Sequence, residues 1–139
     1  MKVSFDFDGS LARGSLQEYA RELVDSGYDV HIVTARYDSL ERYTDDFLIK
    51  YHIKDIEREH NHLFDVAQYI GIKSENIHFT SMVPKYLFFV ENPDFIWHLD
   101  DDIVEVESIN DKCRTRAIDC NRHNDWKKEC NKILNINND

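Results

Sequence analysis

The sequence predicts an α/β protein: a three-layer, doubly wound α/β/α architecture around a mostly parallel five-stranded sheet. Three observations predict it. Short apolar runs rich in Val, Ile and Phe alternate with longer stretches whose apolar residues recur at helical spacing. Alternation of this kind implies βαβ units with right-handed crossovers and helices on both faces. The 139 residues, 42% of them hydrophobic, suffice for one domain, 1–139, with a single core.

Val3–Phe7 reads as a short buried strand. The stretch "SLQEYARELVDSG" then places Leu16, Tyr19, Ala20, Leu23 and Val24 on one helical face, with Ser15 and Glu18 as a capping box and Gly27 as the stop. "YDVHIVT" (28–34) is a second strand, apolar enough to be covered on both faces. Asp38 and Glu41 are placed to cap a second helix with Leu40, Tyr43, Phe47, Leu48 and Tyr51 on its face. A polar stretch, Lys54–His62, precedes a short helix carrying Leu63, Val66, Ala67 and Ile70 and stopped by Gly71. "NIHFT" (76–80) is a third strand, and Pro84 suits the first turn of a helix running to about Val90. "DFIWHLDDD" (94–102) is a fourth strand ending in carboxylates, followed by a helix over Ile103–Ile109. "TRAIDC" (115–120) is the fifth strand, "DWKKECNKIL" the last helix, and the final five residues read as a frayed end.

Composition narrows the function classes. A net charge of −10 argues against nonspecific nucleic-acid binding, which relies on basic surface. No apolar run approaches the ~18 residues of a membrane span. Asp6 comes too early for a secretory leader, and three cysteines, an odd number, point to a reducing, cytoplasmic setting. There is no G-x4-G-K-[ST] loop, so a nucleotide kinase of that class is disfavoured.

The residues of chemical interest stand at strand ends, where parallel α/β sheets bind ligands. Asp6 and Asp8 differ by two positions, so on an extended chain they point the same way. Two such carboxylates repel unless a cation sits between them, and a hard cation such as Mg²⁺ resolves the conflict. The competing reading is a plain Asp-Gly turn at Gly9. Thr34 ends the second strand, as a phosphate donor or as a turn cap. Lys85 opens a helix beside Pro84, as an anion ligand or as an ordinary surface lysine. Asp100, Asp101 and Asp102 follow the fourth strand, as metal ligands or as a solvated helix cap.

Taken in order, these strand ends resemble the haloacid dehalogenase superfamily across residues 3–105. Asp6-x-Asp8-Gly9-Ser10 resembles its first motif, Thr34 its second, Lys85 its third and "DDDIVE" its fourth. The resemblance implies a Mg²⁺-dependent phosphomonoester hydrolase. Asp6 would be the nucleophile and form an aspartyl-phosphate, with Asp8 as general acid and base. Thr34 and Lys85 would hold the phosphoryl oxygens. The metal would be held by Asp6, the Asp8 backbone carbonyl and a fourth-motif carboxylate, Asp101 first and Asp100 second. Glu105 would support the site and Asp102 would cap a helix. Ser10 replaces a commoner threonine but keeps the hydroxyl, and the presence of Asp8 favours phosphate-ester over carbon–halogen chemistry.

Family members carry caps after the first motif or before the lysine. Here only Leu11–Gly14 and Ser81–Pro84 fill those gaps, so no cap domain is expected and the site should be open. The 41 residues between Thr34 and Asn76 exceed the ~12 a crossover needs, so Tyr37 and the His60/His62 region could overhang the site. Arg36 is the candidate for a second substrate contact, with a surface ion pair as its alternative. "TAR" at this position also resembles nucleotidase-like and end-healing phosphatases of the superfamily. The expected partner is therefore a small phosphorylated substrate, a nucleotide favoured, or a phosphorylated nucleic-acid end.

Other readings compete with this one. A receiver-like phosphoacceptor switch would need a carboxylate after the third strand, where Thr80 stands. A non-catalytic phospho-ligand-binding protein would use the same residues. Cys113, Cys120, His123 and Cys130 are possible zinc ligands, but their spacing fits no common finger, and free thiols are the alternative. His31 and His98 read as core histidines, and Trp97 and Phe88–Phe89 as core.

Overall fold

The computed structural model describes residues 1–136. Its sheet holds β1 (Lys2–Phe5), β2 (Asp29–Thr34), β3 (Ile77–Phe79), β4 (Phe95–Asp100) and β5 (Arg116–Asp119), all parallel, in the order β3-β2-β1-β4-β5. The helices are α1 (Gly14–Asp25), α2 (Asp45–Lys50), α3 (Ile56–Ile70), α4 (Lys85–Glu91), α5 (Ile103–Lys112) and α6 (Trp126–Ile133). The doubly wound α/β expectation holds, with the mostly parallel sheet wholly parallel.

Alternation along the strands sends side chains to two layers. Val3, Phe5, Ile32, Trp97 and Leu99 pack with α1, α3 and α6 residues such as Leu16, Leu63 and Cys130. Val33, Phe95 and Ala117 pack on the other face with Phe89 of α4 and Val106 and Ile109 of α5. Phe95 and Trp97 share parity yet face opposite layers. The register shifts between Lys2↔Phe95 and Val3↔Trp97, and a bulge of one residue inverts the facing of the chain before it. Phe5 and Trp97, fully buried and 5.4 Å apart edge to face, anchor the larger layer. Truncating either to Ala should cost ~3–5 kcal/mol.

Several element boundaries differ from the sequence expectation. No Ser15 capping box forms, because α1 begins one residue earlier, behind Arg13. Glu18 instead accepts a hydrogen bond from Tyr69 Oη at 2.6 Å, tying α1 to α3. The expected second helix breaks at Tyr43, which is extended. A 3-10 turn, Leu40–Arg42, precedes the break, and α2 follows it with Thr44 as its cap, accepting from Phe47 N. Lys54–His62 is mainly the start of α3, capped by Asp55; it is polar because most of its side chains are exposed, not because the helix is absent.

At the far end, Asn135 and Ile136 close α6, with Ile136 N bonded to Asn131 O at 2.8 Å, so these two residues do not fray. The rest of the expected frayed end, 137–139, lies outside the described residues. No helix among the described residues is long and apolar enough to cross a membrane.

Strand order sets where a ligand can bind. The chain winds from β1 outwards to β2 and β3, then returns to add β4 and β5 on the other side. The order therefore reverses between β1 and β4, and a crevice opens beyond their carboxyl ends.

Candidate active site

Asp6 leaves β1 still attached to the neighbouring strand, its N–H donating to Leu99 O at 2.8 Å. Asp100 ends β4 beside it. Lys85 enters between them from the start of α4: Nζ donates to Asp6 Oδ1 at 2.7 Å and to Asp100 Oδ2 at 2.6 Å. All three side chains are buried. Glu105 of α5 accepts a 2.8 Å hydrogen bond from Lys85 N, which fixes the start of α4.

The electrostatics of this group follow from burial and sharing. Burial pushes the Asp6 carboxyl well above its ordinary range; Lys85 opposes that shift, and Asp100 adds to it. Burial also pushes against ionised Asp100, but the hydrogen bond from His98 and the Lys85 ammonium hold it well below the usual carboxylate range. Desolvation acts against the Lys85 ammonium, and the two carboxylates outweigh it and raise its pKa. One lysine shared by two buried acids thus leaves Asp100 as the ionised partner and Asp6 under-compensated.

Asp101 completes the acidic group. Carboxylate oxygens of Asp6, Asp100 and Asp101 lie within 4.8 Å of one another. With Asp6 ionised, three carboxylates against one ammonium would leave two negative charges to balance, and an all-oxygen donor set of this kind suits a hard divalent cation. Gly9 makes room for it: its φ is +75°, and a Cβ there would stand 2.1 Å from Asp101 Oδ2. Asp102 caps α5 as expected, accepting from Val104 N at 2.9 Å.

Asp8 goes elsewhere. Its carboxylate faces Arg36, with Nε to Oδ2 at 2.8 Å and Nη2 to Oδ1 at 2.6 Å. The expectation that Asp6 and Asp8 share a direction fails for a geometric reason. Asp6 (φ −68°, ψ 155°) and Asp8 (φ −64°, ψ 125°) have polyproline-like backbones. That conformation repeats every three residues, not every two. The charge on Asp8 is met by a guanidinium, while its backbone belongs to the tight turn Phe7–Leu11.

Arg36 is clamped further by donating Nη1 to Glu59 O at 2.8 Å and by lying 5.0 Å over the Phe7 ring. Thr34, buried at the end of β2, accepts from Arg36 N at 3.3 Å. The structure thus gathers Asp6, Lys85, Asp100 and Asp101 in one group and Asp8, Arg36 and Thr34 in a second along the same strand ends.

Two connections escape a reading of the sequence. His98 is buried, as a core histidine would be, but it bonds Asp100 Oδ2 through Nε2 at 2.7 Å and Ser4 Oγ through Nδ1 at 2.8 Å. Burial lowers its pKa, which fits a neutral ring protonated on Nε2 and accepting from Ser4. The spacing carries a signal for this: His98 precedes Asp100 by two residues on one strand, hence on one face. Ser10 donates to Asp6 Oδ2 at 3.3 Å and also meets Cys120 Sγ, onto which Arg13 points at 2.8 Å.

The remaining candidates take other places. Cys120, beside Ser10, and Cys130 belong to the same core cluster, half-buried Cys113 donates to Tyr86 O, and His123 is exposed; among the described residues these four do not come together as a metal-binding group. His31 is buried and bonded to His78 and Asp29 near the amino end of the sheet. His60 packs on Phe64 and Phe79.

Two clefts flank the Asp8–Arg36 pair. One, of about 800 Å³, is polar and includes Arg58, Asn61 and His62. The other, of about 270 Å³, is apolar and runs along Tyr43, Phe47 and Tyr51. No family model matches this sequence, and no curated protein does.

Proposed function

We propose that this chain is a Mg²⁺-dependent phosphomonoester hydrolase of the haloacid dehalogenase type, acting on a nucleotide or a nucleic-acid end phosphate. The observation that carries this reading is the Asp6–Lys85–Asp100 group with Asp101 beside it, at the crevice where the strand order reverses. Asp6, Asp101 and Asp100 would hold Mg²⁺ together with the Asp8 backbone carbonyl. The ion would supply positive charge against the phosphate and bring Asp6 to its ionised form.

Asp6 attacks phosphorus through one carboxylate oxygen while Lys85 holds the other. The new O–P bond forms as the bond to the leaving oxygen breaks, and Asp8, having taken up a proton from solvent once Arg36 has turned to the phosphate, delivers it to that oxygen. Asp8 then takes a proton from water as the water oxygen attacks phosphorus and the Asp6–phosphorus bond breaks, releasing inorganic phosphate. Arg36 exchanges its two bonds from Asp8 to the substrate phosphate, which frees Asp8 for proton transfer. Thr34 and Lys85 stabilise the charge that develops on the phosphoryl oxygens.

The test is phosphate release with Mg²⁺ from an aryl phosphate, 5′- and 3′-nucleotides and 3′-phosphorylated oligonucleotides. Turnover should vanish in a chelator and in Asp6→Asn. Release that survives Asp6→Asn overturns the proposed nucleophile. No release from any ester by the folded protein overturns the enzymatic reading in favour of a binding protein or a phosphoacceptor switch.

A further inference from the structure

The apolar cleft beside Asp8 and Arg36 has a composition unlike the rest of the site. Tyr43, Phe47, Tyr51, Ile53, Ile56 and Met82 line it, together with Asp8, Arg36 and Glu59. Its rings form a chain: Tyr43–Phe47 at 5.3 Å edge to face and Phe47–Tyr51 at 4.6 Å, tilted by 42°. Tyr37 backs them, 5.1 Å from Tyr43, and Tyr43 Oη accepts from Tyr37 N, so the inner rings are held in place. The outer wall is open, with Tyr51 54% and Met82 47% exposed. Lys50 Nζ lies 5.4 Å over the Tyr51 ring, so the exposed end of this aromatic wall also carries a positive charge.

We infer that this cleft seats the planar ring of the substrate's leaving group, and that the substrate is a single nucleoside monophosphate and not a polynucleotide end. The inference rests on the phosphomonoesterase reading above. Continuity carries the first half: Asp8, the proton donor to the leaving oxygen, and Arg36, the phosphate ligand, are both walls of the cleft. Nucleobases of any sequence stack on such rings because each has a π-face. Size and charge carry the second half. A cleft of about 270 Å³ has room for one base and its sugar, and residues 38–59, which supply most of its wall, carry seven carboxylates against Arg42, Lys50, Lys54 and Arg58, an excess of three negative charges. Further backbone phosphates would meet these carboxylates.

The test measures binding, so it reads out even if no ester is hydrolysed. Affinities for adenosine 5′-monophosphate, glycerol phosphate and a 5′-phosphorylated adenosine oligonucleotide are compared in Asp6→Asn, alone and combined with Phe47→Ala or Tyr51→Ala. Base–aromatic stacking implies that the nucleotide binds about tenfold more tightly than glycerol phosphate. That ratio should fall towards one in both aromatic variants. Tyr51 is exposed, so its removal leaves the fold intact and keeps the result interpretable. Equal affinity for nucleotide and glycerol phosphate, or a ratio unchanged by both variants, overturns the ring site. Tighter binding of the oligonucleotide than of the mononucleotide overturns the mononucleotide assignment. If the parent hydrolyses no ester while the ratio holds and falls in the aromatic variants, the enzymatic reading fails separately and the cleft is a nucleotide-binding site without a leaving group.

Discussion

Gly9→Ala is the substitution whose effect can be worked most directly from the geometry. The new Cβ would lie 2.1 Å from Asp101 Oδ2 and 2.6 Å from its Cγ, both far inside contact distance. The Asp101 carboxylate is the flexible partner, so it must swing out of the acidic group. The residue must also hold φ at +75°, which costs a non-glycine residue roughly 1–2 kcal/mol. In chelator the variant should therefore melt roughly 3–8 °C below the parent. Displacing Asp101 should weaken Mg²⁺ binding about tenfold or more, since even partners behind metal ligands are worth about 10–100-fold. Calorimetric Mg²⁺ titration of Gly9→Ala, Asp101→Ala and the double variant separates the two effects. Once Asp101 is truncated, Gly9→Ala should no longer change Mg²⁺ affinity. Parental Mg²⁺ affinity in Gly9→Ala, or an undiminished effect of Gly9→Ala in the Asp101→Ala background, refutes this reasoning.

Lys85→Met leaves two buried carboxylates without their cation and should cost about 3–5 kcal/mol in urea unfolding at pH 7.5. The deficit should shrink as pH falls, because burial raises the Asp6 pKa and protonation removes one of the two unpaired charges; an equal deficit at pH 7.5 and pH 5 would refute the shared-lysine picture. Asp6→Asn should be more stable than the parent in chelator at neutral pH. Burial raises the Asp6 pKa when folded, so protonation favours folding, and that stability is lost as pH rises through the folded value. The advantage of Asn should fade as pH falls to the ordinary carboxylate range. Mg²⁺ at a hundred times its dissociation constant should stabilise the parent by about 2.7 kcal/mol and Asp6→Asn far less, measured by melting. Arg36→Ala should change stability by only about 1 kcal/mol or less, because Asp8 is 60% exposed, yet reduce turnover at least tenfold. Parental turnover in Arg36→Ala would remove Arg36 from the site.

How much of the fold and site is legible in the sequence depends on which periodicity the chain obeys. Apolar runs closed by Asp6, Thr34 and Asp100 locate three strand ends within a residue or two, because buried parallel strands need continuous apolar faces. Lys85 beside Pro84 locates the cation. Asp8 escapes a two-residue repeat because its backbone turns every third residue. His98 is hidden by its apolar neighbours, although the strand repeat places it with Asp100. The rings of Tyr43, Phe47 and Tyr51 stand four apart and imitate a buried helical face. The break at Tyr43 and the exposure of Tyr51 turn them into a cleft wall. Neither the break nor the exposure follows from spacing; the break sits where Tyr43 packs on Tyr37 and accepts its N–H.

The division of labour between sheet and crossover has a practical consequence. Asp6 and Asp100 terminate adjacent central strands, whereas the aromatic wall belongs to a length of chain that departs from β2 and returns at β3, the outermost strand on that side. Loop closure is forgiving of length, at about 0.6 kcal/mol per doubling. On the proposed hydrolase reading, residues 38–55 therefore form an exchangeable cassette: a graft of different sequence or size should change leaving-group preference while Asp6, Lys85 and Asp100 keep their places.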